Sequence, residues 1–406
     1  MKKLITVLFS LIITAVLISC SSQIDRGPVI LESPAKSQSE LPFLFADNSG
    51  KLFMSWVEKV SGSERYLLKY STWSDENWSE ANDITSSDSW FVNWADYPSV
   101  VAYSGQAKAA HMLNKIPGNT YSYNVNIVLN KDGEWSQPFA PHNDSTATEH
   151  GFASLIPLNE QELLAAWLDG RRTEDRKDEE YFDLDKAMTL RSAVIEQSGE
   201  ITNRKLLDAS VCDCCQTSMT LTDQGPFIAY RNRTSEEIRD IYYSRYQSGE
   251  WTEPQPVFRD NWKIGACPVN GPRVASRDSL VVVAWFAGAG SMETVKTAVS
   301  TDYGVSFNEP ITVNQSGTSG RVDVEIAESG LLYISELVKE GDNYYLKLNE
   351  VNYRDETVNT KNVAEMSGSR RSGFPQMELT DGRLFFAWTD VKDDTLTQIK
   401  TASLEL

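Results

Sequence analysis

Leu280-Val281-Val282-Val283-Ala284-Trp285 is an apolar run closing on tryptophan, and it returns as Arg383-Leu384-Phe385-Phe386-Ala387-Trp388. The same phrase appears as Lys51-Leu52-Phe53-Met54-Ser55-Trp56 and as Glu162-Leu163-Leu164-Ala165-Ala166-Trp167. Looser copies lie around His111, Tyr230 and Ser335. Each copy follows another apolar stretch and a short turn. Successive copies are 50 to 63 residues apart. A repeat of this length built from short strands cannot bury both faces of one unit, but a closed ring of units can. The reading is therefore an all-β chain, a seven-bladed β-propeller of four-stranded antiparallel blades, with six blades as the alternative.

Between phrases lies a second signal. Ser300-Thr301-Asp302-Tyr303-Gly304-Val305-Ser306-Phe307 fits S-x-D-x-G-x-x-F. Weaker echoes occur at Trp73 to Trp78, Asn130 to Trp135, Ser198 to Ile201 and Gln247 to Trp251. These predict hairpins between third and fourth strands, with the Asp or Ser bonding local backbone and the Gly supplying positive φ. The last phrase, Phe374 to Leu406, holds three strands. Its fourth is expected from the chain start, around Pro28 to Glu32, which removes an open edge.

The remaining composition fits a folded, exported chain. The 406 residues are 41% hydrophobic and 10% aromatic, enough for an extensive core. Lys2, Lys3 and the apolar run over 4–18 read as a signal segment too short to span a membrane. Leu17-Ile18-Ser19-Cys20 resembles the bacterial lipobox, which implies a lipidated Cys20. The division is then a signal peptide over 1–19, a lipidated tether over 20–37 and one propeller over 38–406. The expected location is the bacterial cell envelope, at the outer membrane or cell surface, with the polypeptide in water. Formal net charge is −19, and losing Lys2 and Lys3 takes it to −21. Nucleic acid is excluded as a partner by that sign. An anionic substrate would need a local Arg cluster.

Topology gathers distant motifs. If first strands run down and second strands up, the starts of first strands share a face with the links from second to third strands. The hairpins of the second signal fall on the opposite face. The first face then collects Glu149-His150-Gly151-Phe152, Trp167-Leu168-Asp169-Gly170-Arg171, Met188-Thr189-Leu190-Arg191, Val211-Cys212-Asp213-Cys214-Cys215-Gln216-Thr217, Cys267 to Arg273, and Arg371 to Pro375.

These phrases, with the S-x-D-x-G-x-x-F turn, resemble bacterial sialidase-like proteins with BNR or Asp-box repeats. The resemblance implies a propeller, secretion and glycan chemistry. Sialidases carry an Arg-Ile-Pro motif near the first blade, and none occurs between Leu41 and Trp56. The three histidines, His111, His142 and His150, all lie between blades 2 and 3. Any of them is as well explained by packing as by catalysis. Candidate catalytic residues are His111, Glu149, His150, Asp169, Arg191 and Tyr230. Arg171, Arg231, Arg321 and Arg371 are candidate substrate-binding forks for a carboxylate or sulfate; salt-bridging to the many acids is the alternative.

Cys212, Cys214, Cys215 and Cys267 suit disulfides in an exported protein, or a structural zinc held by three thiolates and a histidine. No cofactor is required for the reaction. Three functions follow: a glycoside hydrolase removing an acidic sugar, a polysaccharide lyase acting on uronates after the manner of ulvan lyases, and a glycan-binding propeller without catalysis. The partner in each is an acidic glycan, and the sequence leaves the oligomeric state open.

Overall fold

The structure is a computed structural model that describes residues 27–392 and 396–406. The signal segment and Cys20 lie outside the described residues. Seven antiparallel sheets follow one another around a ring. Each begins with an inner strand and works outward by hairpins. Blade 3, for example, runs through His150–Pro157, Glu162–Asp169, Met188–Glu196 and Ile201–Val211. Blades 1 and 4 split their outer edge into two short segments, Asn77–Trp78 with Asn82–Ser87 and Glu250–Trp251 with Gln255–Pro256.

The last sheet closes the ring. Val29–Leu31 pairs antiparallel with Leu396–Glu405, Val29 opposite Ser403 and Leu31 opposite Thr401. This is the expected fourth strand, and it lies within the 20–37 stretch read as tether. Gln38 N–H also donates to Thr397 O at 2.8 Å, and Ile399 N–H donates to Ser39 Oγ at 3.0 Å.

The apolar phrases are the second strands, buried on both faces between neighbouring blades. Trp56, Trp167 and Trp285 are fully buried, and Trp388 nearly so. Each such ring removes roughly 150–250 Å² from water, worth about 4–6 kcal/mol before ordering costs. A cation stands opposite each of these tryptophans on the third strand: Lys69, Arg191, Lys296 and Lys400. The inner strands line a central channel of about 500 Å³, to which all seven blades contribute.

The S-x-D-x-G-x-x-F turn does what its chemistry predicts. Ser300 Oγ donates to Asp302 Oδ1 at 2.6 Å and accepts from Gly304 N–H at 2.8 Å. Asp302 in turn accepts from Ser306 N–H and Oγ–H. Phe307 packs edge-on against Phe227 and Tyr243 of the preceding blade. Gly304 has φ +80°, and a Cβ there would lie 2.6 Å from Phe227 Cε2. Gly304→Val should therefore lower stability by about 1–3 kcal/mol in urea unfolding. Unchanged stability would remove this turn from the inter-blade packing.

Candidate functional site on the upper face

Blade 3 begins at the upper face, where His150 pairs with Asp169 and Gly151 with Leu168. The residue before it, Glu149, points toward blade 2. There Tyr123 Oη lies 2.5 Å from Glu149 Oε1 and 3.0 Å from Asp96 Oδ2. Asp96 Oδ2 also accepts the Phe152 N–H at 2.9 Å. A phenol has one proton to give, so it cannot bond two carboxylates as a donor. At least one of the acids must carry its own proton. Burial raises Glu149 to about 8, with the negative charges of Asp96 and Asp213 adding to it. Burial raises Asp96 to about 7, opposed by the Phe152 N–H and Tyr123. The backbone donor marks Asp96 as the acceptor end and Glu149 as the proton holder. Glu149 is half-buried as a residue, whereas Tyr123 is fully buried.

The glycines of the two motifs make room for this. A Cβ on Gly151 would collide with Asp96 Oδ2 and lie 2.7 Å from Tyr123 Cε2. One on Gly170 would lie 2.6 Å from Glu149 O, whose carbonyl accepts the Gly170 N–H.

A second cluster sits beside it. His142 and His150 stack with centroids 4.0 Å apart and planes 7° from parallel. Asp144 approaches both, at 3.3 Å from His142 Nδ1 and 3.2 Å from His150 Nε2. Burial would raise Asp144, but contacts from His142, His150 and Thr146 hold its carboxyl well below the usual range. His142 Nε2 and His150 Nδ1 have no hydrogen-bond partner among the described residues. The three side chains offer ligand atoms within 4.8 Å of one another, a geometry open to a cation. However, Arg171 Nη2 already lies 2.9 Å from Asp144 Oδ2, and its Nε lies 2.6 Å from Asp169 Oδ1.

Arg191 completes the cluster. Its counterparts hold acids tightly, Lys69 to Asp83 at 2.8 Å and Lys296 to Asp260 at 2.5 Å. Arg191 Nε stands 3.7 Å from Asp169 and makes no hydrogen bond. Burial lowers its pKa first, and the neighbouring charges of Arg171 and Arg172 lower it further. Three guanidinium groups thus share one corner, and the innermost is loosely held.

The cysteines meet at the starts of blades 4 and 5. Cys212 Sγ and Cys215 Sγ lie 3.3 Å apart, with Cys214 beside them and Cys267 reaching Cys214. No histidine belongs to this group; the fourth sulfur comes from Cys267. The link from Gly170 to Ala187 folds over the area. Its Arg176 bonds Asp213 at 3.0 Å, and Tyr181 stacks under Arg233 at 4.4 Å.

Other expected site residues are placed elsewhere. Tyr230 is fully buried in the apolar core, its hydroxyl donating to Asp208 Oδ2 at 2.7 Å. His111 is buried against Ser99 Oγ at 2.8 Å, and burial pushes its pKa down to about 4. Arg231 spends its guanidinium on the carbonyls of Asn270, Arg239 and Phe286. Arg321 does the same with Ser369 and Gly373 and with the Ser372 hydroxyl. These four act as packing and blade-linking groups. Arg371 is more exposed and faces Glu40 at 4.0 Å. Asp96 and Tyr123 went unread in the sequence, although Asp96 precedes the first strand of blade 2 much as Glu149 precedes that of blade 3.

No family model matches the sequence, and no curated protein does. Solved structures do resemble it. The phage phi92 endosialidase shares 10% identity at a TM-score of 0.50, covering 94% of this chain and 69% of its own. The Hadza microbial sialidase Hz136 shares 12% at 0.47, covering 91% and 66%. An ulvan lyase of a new polysaccharide lyase family, bound to a glucuronate–sulfated rhamnose unit, shares 12% at 0.42, covering 80% and 78%. The likeness is one of fold. It supports the sialidase-like resemblance at the level of the propeller.

The proton on Glu149 has a thermodynamic signature. Its ordinary value is 4.5 and its folded value about 8, so between these the folded state binds a proton that the unfolded state lacks. Stability relative to Glu149→Gln should be greatest below pH 4.5 and fall as pH rises through about 8. Denaturant unfolding of both chains across this range checks it; a pH-independent difference contradicts the assignment.

Proposed function

We propose that this propeller is a carbohydrate-active enzyme that hydrolyses an acidic glycan at the upper face of blades 2 and 3. The observation carrying this reading is the Glu149–Tyr123–Asp96 array, in which one phenol between two carboxyls requires a protonated acid. Glu149 is the general acid. Its proton passes to the glycosidic oxygen as the bond to the anomeric carbon breaks, and water supplies the hydroxyl to that carbon. The proton that water releases returns the site to its starting state. Tyr123 and Asp96 are positioning residues: at rest the phenol donates to Asp96 and accepts the Glu149 proton, and with glycan bound that O–H turns from the phenol to the glycosidic oxygen.

Arg191, with Arg171 and Arg172 beside it, is the cationic corner for the sugar's carboxylate or sulfate. The glycan-acting neighbours are consistent with a sugar substrate. The lipobox stretch at Cys20 supports a protein tethered by lipid at the cell envelope. A second reading, elimination at a uronate, draws on His150, a fully buried ring that shares Asp169 with Arg191 and has an unpartnered Nδ1, and it requires that ring to become exposed when substrate binds. There the imidazole would take the C5 proton while a guanidinium neutralises the carboxylate.

Incubation with sialosides and with uronate polysaccharides separates the two. Reducing sugar without unsaturated-product absorbance is the expected result, and that absorbance would favour elimination. Glu149→Gln should lower turnover by about 10²–10⁴-fold while the fold persists. Retained turnover in Glu149→Gln, or glycan binding with no product at all, contradicts the proposal.

A further inference from the structure

The cysteine cluster takes no part in the proposed proton transfer and is built like a ligand set. Cys212, Cys214 and Cys215 come from the six-residue loop 212–217 before blade 4, and Cys267 from the loop before blade 5. One sulfur from each of the first three falls within 4.8 Å of the others, the tightest pair at 3.3 Å. Cys214 contacts both that pair and Cys267. Sulfurs around a zinc ion at about 2.3 Å would stand roughly 3.8 Å from one another, inside the spread of the first three, while Cys267 joins them through Cys214. A disulfide gives each sulfur one partner, whereas Cys214 has three sulfur neighbours here.

The surroundings also fit a charged thiolate centre. Cys212 and Cys215 are buried. The fully buried Arg239 donates from Nη1 to Cys212 Sγ at 3.4 Å. Its Nη2 is held by Glu237 at 2.7 Å and by the Tyr181 hydroxyl at 3.2 Å, which fixes the cation's direction. Outer donors of this kind orient thiolate ligands and offset their charge. Cys267 is exposed and gives an ion a route in from solvent.

We propose that Cys212, Cys214, Cys215 and Cys267 bind one thiophilic d¹⁰ cation, zinc(II) or copper(I), which cross-links the upper ends of blades 4 and 5. Soft thiolates select these ions over magnesium or calcium. The site does not depend on the glycan reading, because its test reads metal and not turnover.

The full chain, purified anaerobically without chelator, should carry about one zinc or copper per molecule in elemental analysis. Cobalt(II) added to metal-free protein should give thiolate-to-cobalt charge transfer and tetrahedral bands. Cys214→Ser should abolish both signals. Cys267→Ser removes an exposed ligand, should stay folded by circular dichroism, and should weaken cobalt affinity at least about 10-fold. A metal-free chain whose thiols appear only after reduction, with peptides linked Cys212–Cys215 and Cys214–Cys267, would overturn the proposal. So would cobalt binding that Cys267→Ser leaves unchanged.

Discussion

Everything on the upper face depends on the pairing of Val29–Leu31 with Leu396–Glu405. An open stack of seven sheets would leave two edges and no shared axis. Closure by the chain's two ends satisfies the outer edge of the last sheet and brings blade 7 against blade 1. That seam is not only backbone. Leu44, Met54 and Trp56 of the first blade share a core with Phe385, Ala387 and Ile399 of the last. Thr380 Oγ1–H donates to Gly50 O, and Leu41 N–H donates to Thr389 Oγ1. The ring fixes the radius at which the inner strands stand and hence which loop residues meet above them.

The reactive chemistry follows from burial of acids at that meeting point. Asp96 and Glu149 arrive from the loops of adjacent blades and find one phenol between them. In water both would ionise, but in this setting the geometry and the desolvation cost leave a proton in the array. Gly151 and Gly170 are small because the neighbouring acid, ring and carbonyl occupy the space a methyl would need. The Arg corner rests on a different logic. Its cation position recurs opposite tryptophans around the ring, so the repeat supplies it. What distinguishes blade 3 is the pair Arg171 and Arg172 in the link that follows Asp169.

Much of this was legible in the sequence because strand pairing and ring closure leave periodic marks. The apolar phrases, the Ser300 to Phe307 turn and the early closing strand are each where the repeat puts them. The grouping of Glu149, His150, Asp169, Arg171 and Arg191 followed from strand direction alone, as did that of the four cysteines. Side-chain direction was not legible. Tyr230 and Arg231 are consecutive in one apolar phrase, yet one hydroxyl turns to Asp208 and the neighbouring guanidinium to three carbonyls. A phrase marks a strand but not which polar tip finds a buried partner. Asp96 and Tyr123 sit in no repeated phrase, and only the three-dimensional contact gives them a role.

The central claim is that seven sheets form one closed, cooperative ring. Native-state hydrogen exchange tests it most directly, by comparing opening free energies of slow amides in blade 1, blade 7 and the middle blade 4. Amides in Leu52–Lys59 and Leu396–Glu405 should open with the same free energy as those in Gly225–Arg231. Exchange of the first and last blades at a far lower free energy, independent of the middle, would contradict it.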